Sequence, residues 1–302
     1  MEFEAIDLSQ KDQFDLYLMD GKERGCEYSF ANLYMWGRQK ACVAYDQLML
    51  FSQFNRRSVY PYPTGQGDKK QAVDAIILDA KTRGIPCRIT GLRPEDKETL
   101  EEMYPGRFRF HTDRDSYDYV YDINDLADLK GKKYQRKRNH YNRFREKFPY
   151  YSVQPLTDSI LPAVLEMAQQ WYHVRLQEDP DADFHMERSA IRKALTHYRE
   201  LEMETLVLMD GEDVLAFTMA SRLSENTLDV HFEKARMDAD GAYTAINCEF
   251  ARYIRSKDPN ICFLNREDDM GLEGLRKAKL SYYPHHLIDK YWACLLEDGY
   301  DY

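Results

Sequence analysis

The sequence predicts an α+β protein with mixed sheets, in which one plan of helices and strands occurs twice. Landmarks in the first half recur in the second at an offset of 173 to 179 residues, and a basic segment, 130–148, separates the halves. We therefore predict two domains, 1–125 and 126–302, and assign the basic helix 130–148 to the second. The landmark pairs are Gly67 and Gly241, Pro86 and Pro259, Thr90 and Asn265, and Tyr104 and Tyr283.

Alternating and helical apolar patterns, with Gly and Pro between them, define the elements of the first half. Ser29 is a suitable N-cap residue for the second helix, and Gly84 ends the third. The expected order is a helix at 10–20, a helix at 30–38, strands near 40–45, 47–54 and 58–62, a helix at 69–84, a strand at 87–90, a helix at 94–103, and strands at 107–112 and 117–122.

The second half repeats this order after the basic segment. Asp158 or Ser159 is expected to cap its first helix, with Pro162 in the first turn, where a missing N–H does little harm. The expected order is that helix, a helix at 187–199, strands at 204–209, 213–222 and 227–233, a helix at 243–256, a strand at 261–265, a helix at 272–280 and a β-rich tail at 285–296.

Composition limits the classes of protein that fit. The 302 residues carry a net charge of −10, and 43% of them are hydrophobic, as in a globular protein. No apolar run approaches the roughly 18 residues of a membrane helix, and the acidic N-terminus does not resemble a signal peptide. We expect a cytoplasmic protein that is not an integral membrane protein. The sequence has no CxxC pair, HExxH motif, Walker loop or GxSxG elbow, so we expect reduced cysteines and no metal.

The basic segment is concentrated and amphipathic. Residues 130–147 hold nine Lys or Arg and one acid, a net charge of +8, so the remainder of the chain carries −18. As a helix, the segment places aromatic residues on one stripe and cations on a roughly opposite stripe. It is a solvated helix face, a strut between acidic neighbours, or a surface that binds an anion. The aromatic stripe is Tyr134, Tyr141, Phe144 and Phe148; the basic stripe is Lys132, Arg136, Arg143 and Lys147.

Polar residues follow two strands of the second half. On strand 227–233, Asp229, His231 and Glu233 alternate with apolar residues and therefore share one face. This face lines a cleft for a polar substrate or lies exposed. Where strand 261–265 ends, an acidic cluster begins, at the kind of strand end where open α/β sheets bind ligands. If the strands are neighbours, Glu233, Glu267 and Asp268 converge, and one of them serves as general base. The alternative is a cluster of acids on a solvated turn.

Two glycine-containing loops enter helices and are candidate phosphate sites, because a helix N-terminus offers free N–H groups. The acids Asp238 and Asp240 weaken the case for the second loop, and ordinary turns are the alternative for both. The candidate cofactor-binding residues are Gly65 and Gly67 in the first half and Gly241, Ala242, Tyr243 and Thr244 in the second.

Two motifs carry a family resemblance. Asn265-Arg266-Glu267-Asp268, followed by Gly271, Gly274-Leu275-Arg276-Lys277-Ala278-Lys279, Ser281-Tyr282 and Pro284, resembles the signature of the phosphatidylglycerol lysyltransferase C-terminal domain family. Lys133-Tyr134, Lys137-Arg138-Asn139 and Asn142-Arg143-Phe144 are similar to that family's basic helix. The resemblance implies two tandem acyl-CoA N-acyltransferase (GNAT)-like domains, related to Fem-type aminoacyltransferases.

The resulting hypothesis is an acyl- or aminoacyl-transferase that works by direct attack, with acyl-CoA or aminoacyl-tRNA as donor. The acceptor is a small molecule, a peptide or a lipid headgroup. Glu233 or Glu267, with Asp268 near, takes the acceptor's proton, and Tyr282 or Tyr283 protonates the leaving group. A non-catalytic protein that senses CoA or a nucleotide is the alternative. The expected substrate-binding residues are Asp229, His231, Asn265, Arg266 and Lys277; with a tRNA donor, Lys132, Arg136, Arg143 and Lys147 contact phosphates.

Overall fold

The computed structural model describes residues 1–19, 22–54, 57–180 and 183–296. Within these ranges the chain forms ten α-helices and fourteen strands. The helices are α1 (Lys11–Leu18), α2 (Phe30–Trp36), α3 (Lys69–Arg83), α4 (Pro94–Met103), α5 (Ile123–Asp128), α6 (Gln135–Lys147), α7 (Leu161–Glu178), α8 (His185–Thr196), α9 (Ala242–Lys257) and α10 (Glu273–Leu280).

Most strands fall where the apolar alternation predicts them. The short strands at residues 4–5 and 152–154, and helix α5, were not predicted. The strands are β1 (Glu4–Ala5), β2 (Gln39–Ala44), β3 (Gln47–Phe54), β4 (Arg57–Pro61), β5 (Arg88–Leu92), β6 (Phe108–Thr112), β7 (Asp118–Asp122), β8 (Ser152–Gln154), β9 (Glu204–Asp210), β10 (Asp213–Arg222), β11 (Thr227–Ala235), β12 (Phe263–Asn265), β13 (His286–Ile288) and β14 (Tyr291–Leu295).

Two seven-stranded sheets share one topology. The first has the order β1-β2-β3-β4-β5-β14-β6, and the second has the order β8-β9-β10-β11-β12-β7-β13. In each sheet an antiparallel meander leads to a parallel pair, β4 with β5 and β11 with β12, and one helix, α3 or α9, connects the two strands of that pair. The repeated plan predicted from the sequence is therefore present.

The chain divides into two compact units. The first comprises residues 1–119, 268–277 and 287–302, and the second comprises 120–267 and 278–286. These ranges differ from the predicted 1–125 and 126–302. The reason is strand order: β14, from the end of the chain, pairs with β5 and β6 in the first sheet, while β7 pairs with β12 in the second. Sequence spacing does not reveal such an exchange of strands.

Local signals account for helix α3 and the core beneath it. The Asp68 carboxylate accepts the backbone N–H groups of residues 70 and 71, and Gly84 ends the helix with a left-handed φ of 65°. Val73 and Ile76 are fully buried against the first sheet. Burial of such side chains contributes roughly 1.5–3 kcal/mol each.

The cap predicted for α7 is wrong. Ile160 occupies the N-cap position and makes no side-chain cap bond. Asp158 instead accepts the Tyr198 hydroxyl at 3.0 Å and pairs with Arg199 at 2.8 Å. The carboxylate thus joins the start of α7 to the segment that follows α8, an interaction invisible to local sequence rules.

The basic segment forms a 3-10 turn at Lys132–Tyr134 followed by α6. Its predicted amphipathic character is confirmed. Tyr134, Tyr141 and Phe144 are buried, and Phe148 is half-buried. The basic stripe of residues 132, 136, 143 and 147 is exposed. Helix α6 packs on α9 within the second unit.

Candidate active site

Strands β11 and β12 separate partway along the second sheet. Their parallel pairing runs from Thr227 opposite Phe263 to Asp229 opposite Asn265. Strand β12 ends there, whereas β11 continues to Ala235. The residues after β12 therefore reach β11 through side chains instead of through backbone hydrogen bonds.

An ion pair spans this separation. The Nη2 atom of Arg266 lies 3.0 Å from Oε1 of Glu233, and the side-chain amide of Asn247, on α9, donates to Oε2 at 3.4 Å. In the described part of the chain, Nη1 of Arg266 and Oδ1 of Asn247 are buried and have no hydrogen-bond partner. Since buried polar atoms are normally satisfied, one donor and one acceptor remain for a ligand or water.

Two tyrosines and a lysine surround the guanidinium. The Cζ atom of Arg266 lies 5.1 Å from the Tyr282 ring centre and 5.6 Å from the Tyr121 ring centre. The Nζ atom of Lys137, from α6, lies 3.6 Å from the same Tyr282 ring centre. Among the described residues, the half-buried Lys137 has no hydrogen bond and no ion pair, and its amine lies against the face of this ring.

Burial sets the protonation of this group. Burial, reinforced by the Arg266 guanidinium and opposed by Glu233, lowers the pKa of Lys137 to about 8. Burial raises the pKa of Tyr282 to about 12, although Arg266 acts in the opposite direction. At neutral pH Tyr282 is therefore a phenol that can donate a proton, and a fraction of Lys137 is neutral.

Sequence reasoning missed Lys137 as a site residue. It counted the lysine among nine cations of residues 130–147. A usable signal was present, because Tyr134, Lys137 and Tyr141 follow the i, i+3, i+7 spacing of one helix face. A lysine on the buried aromatic stripe differs from the exposed cations beside it.

The polar face predicted on β11 exists, but it is buried. Neither Asp229 nor His231 exposes its side chain. The imidazole of His231 lies 2.7 Å from Ser221 Oγ through Nε2, and Nδ1 lies 3.4 Å from Asp229 and 3.3 Å from Glu267. The interpretation of this strand face as solvent-exposed is therefore wrong.

The three predicted carboxylates do not form one cluster. Glu233 contacts Arg266, Glu267 contacts His231, and Asp268 accepts the backbone N–H of Met270 at 3.2 Å. The expected convergence is corrected to an ion pair of Glu233 with Arg266 and a separate contact of Glu267 with His231. Each glutamate lies beside the side chain of an arginine or a histidine. The charge pattern alone did not indicate these pairings.

A buried network shapes the loop that carries Arg266 and Glu267. The Asn265 side chain accepts the Glu267 N–H at 2.7 Å, and the Lys279 ammonium donates to the carbonyl oxygens of both loop residues. Glu267 adopts a left-handed φ of 57°, which these bonds hold in place. Lys277, predicted to bind substrate, is exposed on α10, whereas Lys279 is buried.

The acidic motif continues into the first unit with a structural pair. The buried Asp269 carboxylate accepts Arg276 Nε at 2.7 Å, the Tyr119 hydroxyl at 2.5 Å and the Gly271 N–H at 3.0 Å. The hydrogen bond from Arg276 is the main cause that holds the pKa of Asp269 well below its usual range. These contacts account for three residues of the motif without a ligand.

The second glycine loop is packed tightly. Gly241 has a φ of 80°, and a Cβ there would overlap the carbonyl oxygen of His140. Ala242 N–H donates to the Ala239 carbonyl at 3.0 Å, so it is not available to a phosphate. Tyr243 accepts the Trp171 Nε1–H at 2.9 Å. Of the four predicted residues here, Thr244 alone contacts the site, with its Oγ1 3.5 Å from the Tyr282 hydroxyl.

The first glycine loop packs against the turn between β2 and β3. Gly67 N–H donates to the Asp46 carbonyl at 3.1 Å. A Cβ on Gly65 or Gly67 would overlap backbone oxygens of that turn, and Lys69 Nζ donates to Pro63 O and Gln47 Oε1. This packing explains both glycines without a phosphate.

The basic stripe is divided between paired and unpaired cations. Arg143 pairs with Asp240 at 3.0 Å, and Lys147 donates to the Asp238 carbonyl at 2.7 Å. In the described residues Lys132 and Arg136 have neither an ion pair nor a side-chain hydrogen bond. Arg143 and Lys147 therefore bind the loop before α9, whereas Lys132 and Arg136 contribute exposed positive charge.

At the described positions of the first unit that correspond to this site, the side chains are different. Pro61 lies opposite Thr90 in the parallel pair of β4 and β5, where the second unit places Asp229 opposite Asn265. Gly91 follows Thr90, whereas Arg266 follows Asn265. The candidate site therefore belongs to the second unit.

Within the described ranges, two groups of side chains have spacings suitable for a metal. The ligand atoms of Asp229, His231 and Glu267 lie within 4.8 Å of one another, a separation short enough for one cation. The histidine spacing in the sequence did not predict this group. The second group is Cys26, Glu27 and Asp118 in the first unit, where Lys290 Nζ already lies 2.7 Å from both carboxylates.

A family model described as "Phosphatidylglycerol lysyltransferase, C-terminal" matches residues 20–294. The chain belongs to this family. The recognition drawn from the two sequence motifs is thus confirmed. Among the described residues, no helix has the length and apolar character needed to cross a membrane.

Solved structures confirm the fold of this family member. A conserved protein of unknown function from Bacteroides thetaiotaomicron is 36% identical, with a TM-score of 0.91 over 98% of this chain and 99% of that one. L-PGS from Bacillus licheniformis is 17% identical, with a TM-score of 0.71 over 100% of this chain and 95% of that one. FemX is 9% identical, with a TM-score of 0.59 over 98% of each chain. The predicted class, α+β with two tandem GNAT-like domains, is confirmed.

One relative found by sequence matches only part of this chain. The uncharacterized protein MYCGA3080 of Mycoplasmoides gallisepticum is 26% identical over 180 residues, which cover 58% of this chain. The match covers only 55% of that protein's own length.

Proposed function

We propose that the family member described here transfers an aminoacyl group from aminoacyl-tRNA to a nucleophilic acceptor, at the separated strands of the second unit. The observation that carries this proposal is the ion pair between Glu233 and Arg266 across that separation. In the described structure Arg266 Nη1 and Asn247 Oδ1 are left without partners, and the Arg266 guanidinium lies 5.1 Å from the Tyr282 ring centre. The family name, which refers to lysyl transfer, supports the reaction class.

The Nη1 atom of Arg266, which has no partner in the described structure, would donate a hydrogen bond to the oxyanion of the transition state. When a nucleophile attacks an ester carbonyl, the carbonyl oxygen becomes an oxyanion, and a preorganised donor stabilises it more than the ground state. Glu233 fixes the guanidinium plane through its contact at 3.0 Å. Tyr282, protonated at neutral pH, then gives its proton to the departing ribose oxygen.

Transfer proceeds by direct attack in this scheme. Cys248, on α9, is fully buried and its thiol donates to the Ala127 carbonyl at 3.1 Å. Burial raises the pKa of Cys248 to about 12, so this thiol is not ionised at neutral pH. Because the thiolate is the reactive species, Cys248 does not supply a covalent intermediate.

The surroundings of the site favour tRNA over CoA as donor. At the start of α9, where a pyrophosphate would bind, the Ala242 N–H is already bonded to the Ala239 carbonyl, and the acids Asp238 and Asp240 lie just before the helix. Lys132 and Arg136, in contrast, are exposed and unpaired in the described structure. Free cations on a helix of the same unit are suited to contact the phosphates of a tRNA.

A transfer assay tests the proposal. Bulk tRNA charged with ¹⁴C-labelled amino acids is incubated with the protein and a small-molecule and lipid extract of bacterial cells. We expect label to leave the tRNA and appear in a product other than the free amino acid. The Glu233→Gln variant should lower this rate at least about tenfold, since the guanidinium loses its charged partner.

The matched control is Glu212→Gln, an exposed residue in the turn between β9 and β10; it should transfer at the wild-type rate. A parallel arm with acetyl-CoA and longer acyl-CoAs follows thiol release. Release of CoA without any use of aminoacyl-tRNA would show that the donor is an acyl-CoA, and the proposed donor would be wrong. Binding of tRNA by the wild type without turnover would identify a ligand-binding protein instead of an enzyme.

A further inference from the structure

The transfer reaction proposed above needs a group that accepts the acceptor's proton. Both glutamates expected to do so already have a side-chain partner: Glu233 pairs with the Arg266 guanidinium, and Glu267 lies 3.3 Å from Nδ1 of His231. A carboxylate held by a guanidinium is suited to orient that cation. The base must therefore be sought among the remaining groups of the site.

We propose that Lys137 is the general base of this transfer, acting from the face of the Tyr282 ring. This inference rests on the proposed function. The Nζ atom lies 3.6 Å from the Tyr282 ring centre and has no hydrogen-bond or ion-pair partner among the described residues. Its stem comes from the buried stripe of α6, which fixes the position of the amine.

The charged groups that face Lys137 keep the amine partly neutral. Arg266, from the loop after β12, and burial both favour the neutral amine, and Glu233 on β11 opposes them. Tyr282 faces it as a phenol. His140 lies one turn further along α6, and burial lowers its pKa as well. With the pKa of Lys137 at about 8, the base is matched to neutral or slightly alkaline pH, where general bases work best.

The lone pair of neutral Nζ takes the proton of the acceptor's O–H or N–H while that oxygen or nitrogen forms a bond to the acyl carbon. The tetrahedral intermediate then collapses and the bond from carbon to the ribose oxygen breaks. Tyr282 protonates that oxygen, and the Lys137 ammonium reprotonates the phenolate through solvent. The net result moves one proton from acceptor to leaving group.

The test is the pH dependence of single-turnover transfer from ¹⁴C-aminoacyl-tRNA in wild type, Lys137→Met and Lys137→Arg. For the wild type, the rate should rise about tenfold per pH unit below pH 8 and level off above it. Both variants should lose about 100-fold or more at pH 8, as expected when a general base is removed. They should also lose the rising limb. Lys81→Met, exposed on α3, is the matched control and should keep both rate and profile.

Failure of the base assignment and failure of the proposed function give different results. If Lys137→Met transfers within about threefold of wild type with the same rising limb, the assignment of the base is overturned while the proposed function stands. If the wild type transfers nothing from tRNA, the proposed function fails and the base assignment falls with it. A rate loss in Lys137→Met with the rising limb preserved would show a positioning role and would also overturn the assignment.

Discussion

Lys137→Met should stabilise the protein, although it removes a residue of the proposed site. The ammonium is half-buried and has no carboxylate partner in the described structure, so its charge opposes folding. Between the ordinary pKa of 10.5 and about 8 in the folded protein, at 1.36 kcal/mol per pH unit, the penalty is at most about 3 kcal/mol. Solvent screening and the cation–π contact with Tyr282 reduce it, and we expect about 1–2 kcal/mol at pH 7.

The sign of the pH dependence follows from proton binding. Below pH 8 the lysine is protonated in both states, and the full penalty is present. Between pH 8 and 10.5 the unfolded chain binds more protons than the native chain, so wild-type stability gains relative to Lys137→Met as pH rises. The advantage of the variant should therefore be largest at pH 6–7, be much smaller at pH 10 and disappear above pH 10.5.

Thermal unfolding measures this difference. At about 2–4 °C per kcal/mol for a domain of this size, a gain of about 1–2 kcal/mol should raise the Tm of Lys137→Met by about 2–8 °C at pH 7. The gain should shrink steadily in samples at pH 8, 9 and 10. Lys81→Met should leave Tm almost unchanged. A lower Tm for Lys137→Met at pH 7, or an increase that is the same at pH 7 and 10, would refute the description of Lys137 as an unpaired, partly desolvated cation.

Three further predictions address packing, the motif and the basic helix. Gly241→Ala should destabilise by about 2–4 kcal/mol in urea titrations, since it adds a steric overlap to the roughly 1 kcal/mol left-handed penalty. Gly84→Ala, also left-handed at a φ of 65° but with open space around it, should show that penalty alone. Asp269→Asn should cost roughly 3–5 kcal/mol at neutral pH. Because the pKa of this carboxyl is lowered in the folded protein, the wild type loses that contribution as the pH falls below about 4, and the difference in stability between the two proteins should shrink there. Replacing Lys132 and Arg136 by Gln should weaken binding of uncharged tRNA in filter binding and reduce the slope of affinity against salt by about 1–2; an unchanged slope would exclude phosphate contacts by these residues.

The sequence was sufficient to predict the repeated order of helices and strands. It was not sufficient to predict which sheet each strand joins. Gly and Pro landmarks mark element ends, and those are local properties. The placement of β7 and β14 depends on pairing over long sequence separations, which no local pattern records. The domain boundaries therefore moved while the element order held.

The candidate site, too, could be predicted only in part from the sequence. Strand alternation placed Glu233 and His231 on one face, and parallel pairing brought Arg266 and Glu267 beside them. The pattern did not indicate which carboxylate pairs with which base, because that depends on where β12 ends. It also did not distinguish Lys137 from its exposed neighbours, since charge counting ignores the helix face on which each lysine lies.

Hydrogen–deuterium exchange of the intact chain, with uncharged tRNA and CoA as separate probes, tests most directly whether the second unit holds the donor site. With tRNA, we expect slower exchange in peptides that cover residues 130–148 and 263–268, and no change at 63–71. Protection confined to residues 63–71, or no protection with tRNA at any concentration up to that used for transfer, would contradict the account.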